Sequence, residues 1–432
     1  MKTIATSLFL LFFTVGFSQN LYFPPTSGNT WETLPPETLN WCQEKIDILN
    51  SFLEDNNTKA FILLKDGKIV IESYFDNHTM SAPWYWASAG KTITAFMTGI
   101  SQQEGFLSID EPTANYLGTG WTSCSPSEEL AITIENQLTM TSGLNDAVAD
   151  PNCTNSNCLE CLVTPGTRWA YHNAPYTLLD QVIEDATGTT LNIYTTQKLK
   201  TPTGMNGTFL PIENNNVFFS NARSMARFGL LMLNNGNWDG NQIMTDTNFF
   251  NQMITPSQSL NEAYGYLWWL NGSDSFMVPG LQTVFNGPLF PNAPEDTYAA
   301  LGKDGQFLNV VPSENIVWMR MGENPDNLPV PFLLNDQIWE FINDLECELS
   351  STEIIKHSFQ ITPNPVNDYA TINAKDEIKK IEIFSAQSQL IKSHTVNENE
   401  FTLNLAFYTS GLYFVKVYFN NGQTAIQKIV KE

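Results

Sequence analysis

The sequence pattern changes about 350 residues into the chain, and this change predicts two separate folding units. Residues 20 to about 350 mix helix-like and strand-like segments. After the polar stretch SSTEIIKHSF, apolar and polar residues alternate in short runs. An Asn-Gly pair at 421–422 is typical of a hairpin turn between two such runs. We therefore predict a mixed unit followed by a small all-β sandwich that begins at about residue 358.

The first unit contains signals for strands, then helices, then strands and a last helix. A hairpin that turns at Asp66-Gly67 is predicted for KAFILLKDGKIVIESYF. A helix that stops at Asn235-Gly236 is predicted for SMARFGLLMLNNG. Later strands are predicted for YGYLWWLNG, QFLNVVP and NIVWMRMG, and a closing helix for PFLLNDQIWEFINDLECEL. This order predicts an α+β fold, with an antiparallel sheet flanked by helices and a helical lobe.

The N-terminus is typical of a secretory signal peptide. One Lys precedes an apolar run from Leu8 to Val15, and small residues follow before Gln19. A membrane anchor is the less favoured alternative, because the run is too short to span a bilayer. We expect export, cleavage after Ser18, and a mature protein that is secreted or held at the cell surface without a membrane span.

The net charge and the cysteine content bear on the binding partners and on the covalent structure of the chain. A net charge of -24 disfavours nucleic acid. Export makes disulfides possible, but six cysteines allow many pairings and the sequence does not fix them. A metal knuckle in PNCTNSNCLECL is the alternative, but its spacing is not a usual zinc pattern. We therefore expect disulfides, and neither a metal nor a cofactor. The cysteines are Cys42, Cys124, Cys153, Cys158, Cys161 and Cys347.

A Ser and a Lys three positions apart, Ser88 and Lys91, open an apolar run with helical spacing. Both would lie on one face of the first turn, where free N–H groups favour an oxyanion. Alternatively, Ser88 is only a helix cap. About one such pair is expected by chance in a chain of this composition, so the motif alone does not decide.

Two later motifs offer the other groups that acyl transfer requires, namely a base and oxyanion donors. In TRWAYHNAPY, Tyr171 could share the Ser88 proton with Lys91, because a phenol near ammonium groups ionises more easily. Asn173 could hold a substrate amide.

The second motif, YAALGKDGQFLNVVP, begins with Lys303. Gly305 would let the strand edge approach the substrate closely. The N–H groups of Ser88 and Gln306 could form an oxyanion hole.

Ser-x-x-Lys, Tyr-x-Asn and a late Lys-x-Gly, in this order, resemble the serine β-lactamase and penicillin-binding-protein superfamily. The Tyr-x-Asn form is similar to class C enzymes and D-Ala-D-Ala carboxypeptidases, a branch that includes esterases and oligoamide hydrolases. The resemblance covers roughly residues 40–345 and implies a β-lactamase/transpeptidase-like fold. It implies that Ser88 is the acylated nucleophile and that Lys91 and Tyr171 handle its proton. It also implies that Asn173 orients the substrate and that Lys303 binds anionic or polar substrate groups.

The resemblance also bears on the disulfides and on the substrate. The terminal helices pack side by side in the resembled fold, which implies a Cys42–Cys347 disulfide. Independently of the resemblance, three cysteines crowd into residues 153–161 of an exported chain, so we expect at least one bridge inside that loop. Asp304 occupies the position where Thr or Ser is common, and its negative charge would oppose a substrate carboxylate. This departure weakens the case for β-lactamase activity.

The tail resembles the sorting domain of the type IX secretion system, through TPNPVND at 362–368, IEIFSAQSQLI at 381–391 and GLYFVKV at 411–417. That resemblance implies recognition by the export machinery and removal afterwards. The alternative is a sandwich that binds glycan or protein. We predict a signal peptide (1–18), a hydrolase domain (19–350), a linker (351–357) and a sorting domain (358–432).

The leading functional prediction is a secreted serine hydrolase that cleaves a small ester, amide or peptide through an acyl-enzyme on Ser88. A peptidoglycan D-Ala-D-Ala carboxypeptidase or endopeptidase, or a β-lactamase, is the second reading. The third is of another class, a peptide- or glycan-binding protein that has the same fold without turnover.

Overall fold

A computed structural model describes residues 21–324, 330–347, 359–386, 389–422 and 424–432. The chain forms two compact units that divide between residues 347 and 348. The predicted signal peptide and the predicted linker lie outside the described residues.

A six-stranded antiparallel sheet is the centre of the first unit, in the order β2-β1-β6-β5-β4-β3. The hairpin predicted at Asp66-Gly67 is confirmed, because both residues have positive φ (52° and 81°) and join β1 to β2. Such angles match the twist of paired strands. The strands are β1 (Thr58–Lys65), β2 (Lys68–Tyr74), β3 (Trp269–Leu270), β4 (Tyr298–Gly302), β5 (Gln306–Val311) and β6 (Ile316–Gly322).

Helices cover both faces of this sheet. Val317 and Trp318 are neighbours on β6 and therefore point to opposite faces. A Cβ on Gly229 of helix α4 would lie 2.4 Å from Val317, and the ring of Trp339 in α5 lies 5.7 Å from that of Trp318. The predicted sheet flanked by helices is therefore confirmed. The helices of twelve or more residues in the described chain are α1 (Gln43–Asp55), α2 (Lys91–Gln103), α3 (Asn173–Thr187), α4 (Ala222–Leu233) and α5 (Phe332–Asn343).

A helical lobe forms around α2 and α3, as predicted. Helix α2 is buried from Lys91 to Ser101, which places it inside the lobe. Helix α4 ends at Leu233, and Asn235 and Gly236 follow with positive φ, as the Asn-Gly pair predicts. No helix in the described part of the chain is both long and apolar enough to cross a bilayer.

Shorter elements connect this framework. The short helical segments are Pro36–Leu39, Ala87–Gly90, Ala114–Leu117, Pro126–Glu129, Ile134–Leu138, Ser156–Cys158, Leu191–Thr195, Thr196–Lys200, Thr201–Thr203, Thr247–Met253, Lys303–Gly305 and Pro312–Glu314. The short strands are Trp84–Tyr85, Thr208–Ile212, Asn215–Ser220, Asn237–Trp238, Asn241–Gln242, Ser275–Phe276 and Phe285–Asn286.

Three disulfides join the six cysteines. Cys42–Cys347 ties the start of α1 to the chain beyond α5, as the resemblance implied. Cys153–Cys158 lies inside the 153–161 loop, which confirms the second expectation. Cys124–Cys161 was not predicted and fixes the far end of that loop.

The second unit is all-β, as predicted. Along β10 every second residue from Tyr413 to Phe419 is buried, which is the period that the sequence pattern indicated. The long strand β8 pairs with β7, β9 and β10, and β11 pairs with β10. The strands are β7 (Phe359–Thr362), β8 (Tyr369–Ser385), β9 (Leu390–Asn404), β10 (Gly411–Phe419) and β11 (Thr424–Lys431).

Candidate active site

Ser88 lies in a tight turn at the start of α2. The strand Trp84–Tyr85 ends just before it, and Ala87 has a left-handed φ of 47°. The 3-10 turn Ala87–Gly90 then continues into α2. The Ser88 Oγ accepts a hydrogen bond from the Lys91 Nζ at 3.0 Å. In this described stretch neither the turn nor α2 has a side-chain cap, so the geometry does not support a capping role for Ser88.

Lys91 is a buried ammonium group beside that hydroxyl. It is the buried first residue of α2. Its Nζ is 4.2 Å from the ring centre of Tyr176 and 5.2 Å from that of Tyr171. None of the ion pairs within 4.0 Å in the described chain includes Lys91. Burial lowers the pKa of Lys91 to about 7, and the charge of Asp180 acts in the opposite direction. Lys91 can therefore lose its proton near neutral pH.

Tyr171 is held in an aromatic cluster that the stretch YGYLWWL supplies. Its ring stacks on Trp269 at 5.9 Å and meets Tyr264 edge-on at 6.2 Å. Burial raises the pKa of Tyr171 to about 12, while a hydrogen bond with Ser88 acts in the opposite direction. The pKa of Tyr171 therefore moves in the direction opposite to the expectation of an easily ionised phenol, because desolvation outweighs the hydrogen bond with Ser88. At neutral pH Tyr171 is a protonated phenol and can donate its proton.

Asn173 begins α3, two residues after Tyr171. Its Nδ2 donates to the Asn152 Oδ1 at 2.8 Å, next to the Cys153–Cys158 disulfide. Its Oδ1 is buried and has no hydrogen-bond partner in the described part of the chain. The Asn173 side-chain oxygen is therefore an unpartnered hydrogen-bond acceptor in this part of the described chain. Asn152 was missed, since neighbouring residues do not indicate that its loop reaches α3.

The Lys303–Gly305 turn lies against the Ser88 turn. A Cβ on Gly302 would lie 2.5 Å from the Trp86 carbonyl oxygen and 3.0 Å from the Ala89 nitrogen, so only glycine permits this approach. Lys303 follows and is exposed. The turn thus brings the end of β4 and the start of β5 to the candidate nucleophile.

Gly305 and the Gln306 side chain are both engaged in packing within the fold. Gly305 has a φ of 77°, and a Cβ there would lie 2.3 Å from the Arg320 Nη1. A larger side chain at position 305 would clash with Arg320, so this position requires glycine. The Gln306 side chain is buried and bonded at both ends to the backbone of Gly322, at 2.7 and 3.1 Å. Only the main chain of Gln306 can face a substrate.

Asp304 and Arg320 fix the shape of this turn. Asp304 has a φ of 63°, and its carboxylate accepts a 2.6 Å hydrogen bond from the Tyr85 hydroxyl. Arg320 is fully buried and donates to the carbonyl oxygens of Asp304, Gly305 and Asn56. The Asp304 carboxylate thus has a hydrogen-bond partner within the protein, the Tyr85 hydroxyl. Sequence reasoning missed Arg320, although a charged residue inside the apolar run NIVWMRMG was a usable signal.

The structure thus brings Ser88, Lys91 and Tyr171 together and places Asn173 next along the chain. An antiparallel sheet beside a helical lobe, with such a buried cluster at the start of the lobe's central helix, defines the β-lactamase/penicillin-binding-protein-like fold class. The family model described as "Beta-lactamase" matches residues 55–340, and the chain belongs to this family. The model described as "Secretion system C-terminal sorting domain" matches residues 360–432, which indicates secretion or cell-surface export.

Known proteins share the fold of the first unit. A protein of Bacillus anthracis described as a 6-aminohexanoate-dimer hydrolase is 19% identical, with a TM-score of 0.54, and covers 69% of this chain and 83% of its own. A family VIII carboxylesterase is 14% identical, with a TM-score of 0.55, and covers 73% and 99%. An uncharacterized protein of Alkalihalophilus pseudofirmus is 24% identical over 310 residues, which are 62% of this chain and 85% of that protein. At these identities the structural likeness shows the fold.

Proposed function

We propose that this chain is a secreted serine hydrolase that cleaves an ester or amide through an acyl-enzyme on Ser88. The observation that carries the proposal is the 3.0 Å contact between the Ser88 Oγ and a buried Lys91 with a pKa of about 7. A serine hydroxyl is inert at neutral pH unless a neighbouring group takes its proton.

The proposed reaction has two halves. The Ser88 Oγ attacks the substrate carbonyl carbon while its proton passes to the Lys91 Nζ. The Tyr171 phenol then protonates the leaving oxygen or nitrogen as the carbonyl–leaving-group bond breaks, and Lys91 returns a proton to Tyr171. In the second half a water molecule attacks the acyl carbon and gives a proton to the same pair. The pair passes that proton to the Ser88 Oγ as the acyl–oxygen bond breaks, which frees the Ser88 hydroxyl and a carboxylic acid.

The remaining site groups are assigned to binding. Asn173 accepts an N–H of the substrate through its unpartnered Oδ1, and exposed Lys303 attracts polar or anionic groups. The main-chain N–H groups of Ser88 and Gln306 stabilise the oxyanion. Two proteins of the same fold, described as a carboxylesterase and a 6-aminohexanoate-dimer hydrolase, support this substrate class.

Covalent labelling tests the proposal. A fluorophosphonate probe should add one phosphonyl group to the full chain, and peptide mass spectrometry should find it on Ser88. A parallel sample with penicillin tests the peptidoglycan reading, since a penicillin-binding enzyme would form a stable adduct on the same residue. Absence of any fluorophosphonate adduct would favour the non-catalytic binding protein.

We also propose that the exported protein is processed at both ends. The N-terminal sequence supports cleavage between Ser18 and Gln19, and the match of the sorting domain to residues 360–432 supports removal of the tail. Mass spectrometry of culture supernatant should find a secreted form that begins near Gln19 and ends near residue 350. Released enzyme that still carries residues 360–432 would contradict tail removal and would leave the catalytic proposal intact.

A further inference from the structure

Asp180 is a buried carboxylate for which the proposed reaction has no use. It lies in α3 and is 7% exposed. One carboxylate oxygen accepts a hydrogen bond from the Thr94 Oγ1 at 3.0 Å, and the other accepts one from the Asn216 Nδ2 at 2.9 Å. Among the described residues, no ion pair within 4.0 Å includes Asp180. Buried carboxylates are usually paired with a cation, so this arrangement requires an explanation.

The packing of α2 against α3 connects Asp180 to Lys91 by two routes. On α2, Thr94 lies one turn after Lys91, and residues at this spacing are neighbours on a helix surface. On α3, Tyr176 lies one turn before Asp180, and its ring is 4.2 Å from the Lys91 Nζ. Lys91 and Asp180 are therefore separated by the Thr94 side chain on one helix and the Tyr176 ring on the other. Little water can screen them in this buried contact.

We propose that Asp180 is a positioning residue, whose carboxylate acts on Lys91 across Thr94 and Tyr176 and sets the pH at which Lys91 can accept the Ser88 proton. This inference rests on the proposed function. Asp180 touches neither Ser88 nor the substrate in this scheme. When it is ionised, its negative charge favours the ammonium form of Lys91.

The phenols near this contact do not change charge near neutral pH. Burial raises the pKa of Tyr171 to about 12 and that of Tyr176 well above the usual value, so both phenols stay protonated. Burial also raises the pKa of Tyr264, whose ring meets that of Tyr171 edge-on. Glu184 lies one turn further along α3 and raises the pKa of Asp180.

Lys91 and Asp180 are the two groups that titrate together in this region. Burial lowers the pKa of Lys91 and raises that of Asp180, each to about 7, and each charge favours the ionised form of the other. Removing the Asp180 carboxylate therefore lowers the pKa of Lys91 further. Neutral Lys91 is the proposed base, so the acidic limb of the pH–rate profile should move to lower pH.

The test compares Asp180→Asn with Asp185→Asn, an exposed acid of the same helix that bonds to Gln181. The assay follows hydrolysis of a p-nitrophenyl ester by the full-length variants and wild type between pH 5 and 9, and kcat/KM is plotted against pH. We expect the acidic limb of Asp180→Asn to move down by about one pH unit, as for loss of a nearby opposite charge. Asp185→Asn should keep the wild-type limb. An unmoved limb in Asp180→Asn, or equal shifts in both variants, would overturn the inference.

A second variant keeps the test decisive if Asp180→Asn does not fold. The hydrogen bond from Asn216 lowers the pKa of Asp180, so Asn216→Ala should leave more of the carboxyl protonated near neutral pH. The limb should then move in the same direction by a smaller amount, and no movement counts against the inference. Fluorophosphonate labelling of wild type separates the two proposals. An unlabelled Ser88 removes the proposed function, whereas a labelled Ser88 with an unmoved limb removes only the role of Asp180.

Discussion

Ser88→Ala is expected to abolish ester hydrolysis and to leave the fold intact. The hydroxyl contacts Lys91 at 3.0 Å and caps neither the 3-10 turn nor α2 in the described stretch, so its removal takes away the nucleophile and little structure. Loss of a nucleophile that works as one unit with its base lowers kcat/KM by about 10³-fold or more. Hydrolysis of a p-nitrophenyl ester and a thermal melt should be measured on the same preparations.

Ser101→Ala is the matched control for this substitution. Ser101 is also a buried serine of α2, but its hydroxyl donates to the Met97 carbonyl oxygen at 3.0 Å, away from Lys91. This variant should keep wild-type activity. If Ser88→Ala stayed active and lost only about 1 kcal/mol of stability, as for a removed cap, Ser88 would be structural and the catalytic proposal would be wrong.

The parts of the fold that follow local rules could be predicted from the sequence. The turn at Asp66-Gly67 and the end of α4 at Asn235-Gly236 need positive φ, and Asn, Asp and Gly adopt it most easily. The predicted alternation of apolar and polar residues in the second unit is present in β10, because one face of that strand is buried. The strand Trp84–Tyr85 was not predicted, since two residues carry no periodic signal. Its pairing with Asn215–Ser220 depends on the tertiary fold.

The candidate site could be predicted only in part, for the same reason. Ser88 and Lys91 are three residues apart on one helical turn, so their contact follows from spacing alone. Tyr171 was predicted from the Tyr-x-Asn motif. The direction of its pKa shift, however, depends on burial among aromatic rings that lie far along the chain. Asp180 lies near Lys91 only because α3 packs against α2, and no local pattern indicates that packing. The family motifs therefore predicted which groups meet, whereas the protonation state of each required the packed structure.

Lys91→Met should lower kcat/KM for the same ester by about 10³–10⁴-fold, as for loss of a general base that acts with its nucleophile. Met fills a similar volume without an amine, and it relieves the α2–α3 contact of a buried charge, so the melting temperature should not fall. The control is Lys198→Met, because Lys198 pairs with Glu104 away from Ser88. That variant should keep wild-type turnover.

The pH profile of Lys91→Met separates the base from a merely structural lysine. Burial lowers the pKa of Lys91 to about 7, so wild-type acylation should rise with pH through this value as the amine becomes neutral. Tyr171, with a pKa of about 12, stays protonated throughout and cannot produce this rise. Whatever hydrolysis remains in Lys91→Met should therefore lack the rise near pH 7. A variant that kept both the rise and a tenth of the wild-type rate would show that another group takes the Ser88 proton, and Lys91 would then only hold the hydroxyl in place.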